Sequence, residues 1–359
     1  MFEHHQMAIL NSIQEMMDGR VKVSERIRES MGLEDLPLAA SPAEVIYTKD
    51  RLRLLKYTPE VQRHETPILF VYSLINRYYI LDFLPGRSLI GFMLEQGFPV
   101  YCIDWGKPGD EEAELGWDHY LGRYLRRCVR KALRDSGAPD LTMYGYCMGG
   151  LLALAYVALY PEGIRNLVVQ ATPVDFSHAG ILADWTRADH FNVDTLVDVH
   201  GNIPPALMEG AFQFMDPVGI GQKWETFAQN LDNRSFATVF LALEHWASDN
   251  IPFPGEVYRQ YIKDFYQTNR FMRGEMEIGG RRVDLGAIRC PVLTITASKD
   301  TIVPPESAEV LPELVGADDT RVLRCECGHI GLATSSKGRR LYWPQVAGWI
   351  GERSLAGVG

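Results

Sequence analysis

From residue 43 onward, short apolar runs take turns with longer segments whose apolar residues recur every three or four positions. Ala43–Asp50 and Arg51–Tyr57 alternate apolar with polar residues, as the two strands of a hairpin do. Pro67–Ser73 and Pro99–Trp105 are nearly continuous apolar runs, suited to strands covered on both faces of a parallel sheet. Leu141–Tyr146, Ile164–Thr172, Cys290–Ala297 and Thr320–Cys325 read the same way. Helical spacing falls between them, at Arg87–Gln96, Trp117–Asp135, Leu151–Tyr160 and Gly338–Glu352. Strands alternating with helices predict an α/β class and a doubly wound, mostly parallel sheet.

The alternation lapses between residues 173 and 285, which are rich in Trp, Phe, Met and His. Helical patterns appear there at Trp224–Leu231, Ser235–Trp246 and Tyr258–Phe271, with loop breaks at Gly201–Pro205 and Ile251–Gly255. This predicts a mostly helical cap inserted into the sheet domain. The chain then divides into 1–41 (helix and linker), 42–172 (first part of the core), 173–285 (cap) and 286–359 (second part of the core). In the first of these, Met7, Leu10, Ile13, Met17, Val21, Ser24, Ile27 and Met31 form one helical stripe. Gly19 is its weak point, and Pro37 and Pro42 mark the linker that ends it. The stripe suits packing on the protein's own body and equally a docking surface for another chain or an apolar particle.

Charge narrows the partners. The formal net charge of −10, with no basic stripe to offset it, argues against nucleic acid. The start, Met1-Phe-Glu-His-His-Gln6, lacks the basic and apolar pattern of a signal peptide, and no apolar run nears the ~18 residues of a membrane span. The six cysteines are not spaced as a secreted disulfide framework, so the expected compartment is the reducing cytoplasm.

Between the strand Leu141–Tyr146 and the following helix sits Gly145-Tyr146-Cys147-Met148-Gly149. This is the G-x-S-x-G nucleophile elbow with cysteine in place of serine. Small flanking residues permit the sharp turn, and a helix N-terminus favours a thiolate at Cys147. In the α/β-hydrolase arrangement the acid and then the histidine follow the nucleophile, each at the carboxyl end of a later strand. Asp300 lies just beyond the strand ending at Ala297, and His329 just beyond the strand ending at Cys325. Cys147, Asp300 and His329 are therefore the expected catalytic residues. The backbone N–H of Met148 and that of Leu74, after the strand Pro67–Ser73, are the expected oxyanion donors. His178, His190, His200 and His245 have no strand-end position to recommend them. Cys325-x-Cys327-x-His329 lacks the Cys-x-x-Cys spacing of a zinc site, so no metal is expected.

With these residues placed, the chain resembles the catalytic subunits of polyhydroxyalkanoate synthases. The resemblance rests on Gly145-Tyr-Cys-Met-Gly-Gly150 and on Asn76–Asp82, Ile103-Asp-Trp-Gly106, Thr172-Pro-Val-Asp-Phe176, Gly279–Leu285 and Gly328-His-Ile-Gly331, in family order from about Pro42 to Ile350. It implies an α/β-hydrolase fold and an acyltransferase that polymerises (R)-3-hydroxyacyl-CoA, short-chain, into polyester. CoA would be released, the acyl group would wait as a thioester on Cys147, and no cofactor would be needed. Cysteine suits this chemistry. Exchanging one thioester for another keeps the acyl group activated, and its transfer to a hydroxyl is then downhill.

Asp300 would orient His329 or, as the resemblance implies, help activate the 3-hydroxyl. The short length resembles the two-subunit types, with an elongated helical second subunit (class III) or a smaller regulatory one (class IV). The resemblance also implies a homodimer through the cap and a place on the surface of polyester granules. Cys325-Glu-Cys327 departs from the family's usual strand end. Two other readings stand beside this one. The first is a cysteine-triad hydrolase of the same fold, such as a thioesterase or a dienelactone hydrolase-like enzyme. The second is a non-catalytic granule-associated protein working through its N-terminal helix.

Overall fold

The alternating segments pair into one eight-stranded sheet in a computed structural model that describes Glu15 and residues 18–354. Its strands are β1 (Glu44–Lys49), β2 (Leu52–Tyr57), β3 (Ile68–Val71), β4 (Val100–Asp104), β5 (Leu141–Tyr146) and β6 (Ile164–Gln170), with β9 (Val292–Ala297) and β10 (Thr320–Cys325) completing it. Between β6 and β9, β7 (Glu277–Ile278) and β8 (Arg281–Arg282) form a separate two-stranded ribbon around Gly279 and Gly280, both at positive φ. The sheet order is β1-β2-β4-β3-β5-β6-β9-β10. Pairing is antiparallel at β1–β2 and β2–β4 and parallel throughout the rest.

Successive side chains of a strand point to opposite faces, and the central strands divide accordingly. Leu69, Val71, Leu141 and Met143 join one apolar layer. Ile68, Phe70, Tyr144 and Tyr146 join the other. Both layers are covered by helices, so both sets are apolar and no alternation shows in the sequence.

The helices are α1 (18–30), α2 (Leu89–Glu95) and α3 (Trp117–His119), which runs through a π-helical stretch, Tyr120–Leu125, into α4 (Arg126–Ser136). Then comes α5 (Met148–Leu159), apolar on every side and buried almost throughout. The cap holds α6 (Gly180–Trp185), α7 (Val193–His200), α8 (Pro205–Met215), α9 (Pro217–Gln229), α10 (Arg234–Ser248) and α11 (Gly255–Gln260), the last continuing as a π-helix, Tyr261–Gln267. Short helices α12 (Pro305–Ala308), α13 (Leu311–Leu314) and α14 (Gly331–Thr334) precede α15 (Trp343–Arg353).

The cap holds helices that the sequence reading lacked, and the N-terminal stripe takes one of its two readings. Helices α7 and α8 form where only loop breaks were legible; Asn192 caps the first by accepting from Thr195 N, and Pro205 starts the second. The N-terminal stripe packs inward over its described part. Ile27 and Met31 lie with Leu33 against Phe227, Phe240 and Leu241 of α9 and α10. Met7, Leu10, Ile13 and Met17 fall outside the described residues. Among the described residues, no helix is long and apolar enough to cross a membrane.

Candidate active site

The turn between β5 and α5 forces Cys147 to φ 55° and ψ −127°, a region that a non-glycine residue occupies only under strain. The neighbours leave no room for larger side chains. A Cβ on Gly145 would stand 2.4 Å from Gly150 Cα, and one on Gly149 would stand 2.0 Å from Val71 O. The second of these close approaches seats the elbow against the end of β3, beside the loop that carries Leu74 and Ile75. Cys147 N donates to Gln170 O at 2.8 Å, which ties the nucleophile to the end of β6. The Cys147 side chain is half-buried at the N-terminus of α5.

Asp300 and His329 reach the same edge from β9 and β10. Their loops are joined by backbone bonds from Ser298 N to Cys325 O (2.8 Å) and from Lys299 N to Cys327 O (3.0 Å). His329 Nδ1 donates to Asp300 Oδ2 at 2.7 Å, and the Asp300 side chain is fully buried. The other carboxylate oxygen of Asp300 accepts from Ile302 N (3.0 Å) and Val303 N (2.9 Å), which fixes its direction. The imidazole and the Cys147 side chain border the same cavity and interact electrostatically. Burial alone would push His329 down, but the Asp300 carboxylate and the Cys147 thiol outweigh it and hold His329 at about 10. Held there, His329 carries its proton near neutral pH. The three residues, widely separated in sequence, thus meet at one edge of the sheet, with His329 bonded to Asp300 and facing the cavity that Cys147 also lines.

Cys325, by contrast, is buried in the core, and Cys327 is a half-buried thiol raised to about 11 by burial and then by the Asp300 charge. All six cysteines are free. Leu74 is buried at the start of the loop after β3, while Ile75 N is already occupied by Ser73 Oγ at 3.1 Å.

Two cavities open at Cys147. One, of about 200 Å³, is lined by Trp185, Phe191, Leu207, Tyr258, Tyr261 and Tyr266 of the cap, and is strongly apolar. The other, of about 220 Å³, is bounded by His329, Asn76, Asn250, Glu209, Lys223 and Arg20. Ile75, Phe212 and Ile302 border both.

Comparison with known proteins bears on the fold and the family. Residues 67–335 match the alpha/beta hydrolase fold, and residues 10–93 match the N-terminus of poly-beta-hydroxybutyrate polymerase (PhaC). The chain is 37% identical to the poly(3-hydroxyalkanoate) polymerase subunit PhaC of Allochromatium vinosum over 95% of its own length and 97% of the relative's. It is 37% identical to the subunit of the same name from Haloferax mediterranei (96% and 70%) and 34% identical to that of Synechocystis (97% and 95%). The chain belongs to the poly(3-hydroxyalkanoate) polymerase family. Among solved structures, a monoacylglycerol lipase from Paleococcus ferrophilus superposes with a TM-score of 0.53 at 15% identity, covering 85% of this chain and 100% of the lipase. The thioesterase domain from the curacin biosynthetic pathway gives 0.50 at 13% identity, covering 86% and 99%. These two likenesses show the fold alone.

In this member of the polymerase family, several residues around Cys147 were given no role at the site by the sequence. Tyr146, inside the elbow, donates its hydroxyl to His329 O at 2.8 Å and so fixes the histidine loop to the nucleophile strand. Asn76 donates to Asn250 at 2.5 Å, tying the β3 loop to the chain just beyond α10. Arg20, far upstream, reaches the cavity shared by Cys147 and His329. Polar residues of this kind have no periodicity; only the fold brings them to the site.

Proposed function

We propose that this chain is the catalytic subunit that polymerises (R)-3-hydroxyacyl-CoA, with 3-hydroxybutyryl-CoA as the short-chain case, into polyester. His329 already holds, as imidazolium, the proton given up by Cys147, and the thiolate attacks the thioester carbonyl. The CoA sulfur leaves, taking that proton, and the acyl group remains on Cys147 as a thioester. The N–H groups of Met148 and Leu74 are assigned to the oxyanion formed in this step. The hydroxyl of a growing chain then attacks the acyl-cysteine, its proton passes to His329, and the Cys147 thiolate departs as the new ester forms. Asp300 holds the imidazole in place and stabilises its charged form.

The observation that carries this reading is the cysteine elbow opening onto an apolar cavity. A closed apolar surrounding disfavours water as acceptor and leaves the chain hydroxyl to compete for the thioester. A small second subunit, a homodimer formed through the cap and residence at the granule surface belong to the same proposal. They rest on the family and on the word "subunit" in its members' names.

The test is to give the purified chain (R)-3-hydroxybutyryl-CoA, with and without a second subunit, while following CoA release and the fate of the acyl group. Insoluble polyester, formed faster with the second subunit, is the expected result. Free 3-hydroxybutyrate in step with CoA would instead make the chain a thiol hydrolase.

A further inference from the structure

A cluster of four charges lies between the N-terminal helix and the cap. Arg20 of α1 donates Nε and Nη2 to Glu244 Oε2 at 3.1 and 2.6 Å, and Nη1 to Glu209 Oε1 at 3.2 Å. Lys223 pairs with the other oxygen of Glu244. Glu209 lies on α8, Lys223 on α9 and Glu244 on α10, so one guanidinium from outside the cap joins a cluster built from three of its helices. The Glu244 side chain is 2% exposed and that of Glu209 11%. Burial pushes Glu209 up to about 7, against the pull of Arg20. A buried carboxylate is costly without a partner, and for Glu209 the only cation within salt-bridge distance among the described residues is Arg20.

The cluster is part of the candidate active site's wall. Arg20, Glu209 and Lys223 line the same cavity as Cys147 and His329, and Arg20 still touches solvent, with its side chain 21% exposed. The helices it joins also bear other residues of that wall: Phe212 and Gln213 on α8, Trp246 and Ala247 on α10. The far end of α1 is held as well, since Arg234 of α10 donates to Met31 O and Gly32 O at 3.0 Å each.

We infer that Arg20 is a positioning residue for acyl transfer: by bracketing Glu209 and Glu244 it holds α8 and α10 together at the wall of the cavity it shares with Cys147 and His329, and so limits the access of water to Cys147. The consequence for water as acceptor rests on the polymerase reading above. The consequence for access to the thiol does not. Loss of the guanidinium leaves Glu244 with Lys223 as its cation and Glu209 with only the Gln213 amide at 3.3 Å; Glu209 can then take a proton, but either way the fork that ties α1 to α8 and α10 is gone and the helices are free to part and admit solvent. Lysine at this position keeps the charge but presents one ammonium, which cannot fork onto two carboxylates as a guanidinium does.

The experiment measures alkylation of Cys147 by iodoacetamide in the full chain, read by peptide mass, for wild type, Arg20→Met, Arg20→Lys, Glu244→Gln and the double variant Arg20→Met/Glu244→Gln. Cys128, buried in the core, serves as the control for folding. Cys147 should react roughly tenfold faster in Arg20→Met, and by an intermediate factor in Arg20→Lys. The double variant should react no faster than Arg20→Met, because both changes break one bracket. With (R)-3-hydroxybutyryl-CoA, Arg20→Met should yield a larger share of free 3-hydroxybutyrate per CoA released than wild type. Alkylation at the wild-type rate in a folded Arg20→Met protein would overturn the inference, as would factors that multiply in the double variant. Should Arg20→Met expose Cys128 as well, Arg20→Lys carries the test, and a wild-type rate there counts against the bracket. A wild type that makes no polymer would sink the polymerase reading, while the alkylation rates would still judge Arg20.

Discussion

At the scale of single residues, the site depends on how one histidine is held. His329 has an ordinary value of 6.5, and in the fold it is raised to about 10 by Asp300 and Cys147 acting against burial. A base held above its unfolded value stabilises the native state fully below the unfolded value, and that contribution disappears as pH climbs through the folded one. The stability that wild type holds over His329→Gln, measured by urea midpoints, should therefore be full near pH 6.5 and shrink toward pH 10. A constant difference across that window would show that the imidazole is not held charged by its neighbours. The same coupling makes the nucleophile specific. A serine hydroxyl has far less tendency than a thiol to yield its proton to this imidazole. Cys147→Ser should lower CoA release by about a thousandfold or more, and near-wild-type turnover would rule out thiolate chemistry.

At the scale of elements, the elbow works because β3, β5 and α5 meet without side chains between them. Gly149→Ala would place a Cβ 2.0 Å from Val71 O, backbone that cannot swing aside. The expected loss is about 1–3 kcal/mol of stability, together with a misdirected Cys147. Thermal melts and the alkylation rate would register both, and a stable, active Gly149→Ala would mean that the β3 loop yields more readily than its packing indicates. The elements were also where the sequence was most legible. The strands of the sheet followed from their apolar runs, and the flanking helices from their three-to-four-residue spacing. Helices α7 and α8 escaped because their buried residues are few and the Gly201–Pro205 break dominates that stretch.

At the scale of the molecule, the cap is fastened to the core at the end of α10 and to the N-terminal helix through Arg20. Asn250 meets Asn76, Asp249 Oδ2 accepts from the Tyr79 hydroxyl at 2.9 Å, and Trp246 Nε1 donates to Arg77 O at 2.9 Å. These bonds connect the cap to the loop assigned the second oxyanion donor. Asn250→Ala removes one of them and should cost only about 1 kcal/mol of stability. It should nonetheless reduce the pre-steady-state burst of CoA, since a small displacement of an oxyanion donor weakens it in the transition state. An unchanged burst would show that the β3 loop holds its geometry unaided.

The sequence by itself determined the order of strands and helices, the elbow and the positions of Asp300 and His329. Each of these is local: burial imposes a period on an element, and an α/β sheet gathers the carboxyl ends of its strands at one edge. Tertiary structure alone decided that His329 meets Asp300 at 2.7 Å, that the described part of the N-terminal stripe turns inward, and that Arg20 and Asn250 reach the wall around Cys147. Those contacts join segments far apart in the chain through single polar groups. Their partners are set by how helices pack over the sheet, and no repeat along the chain records that.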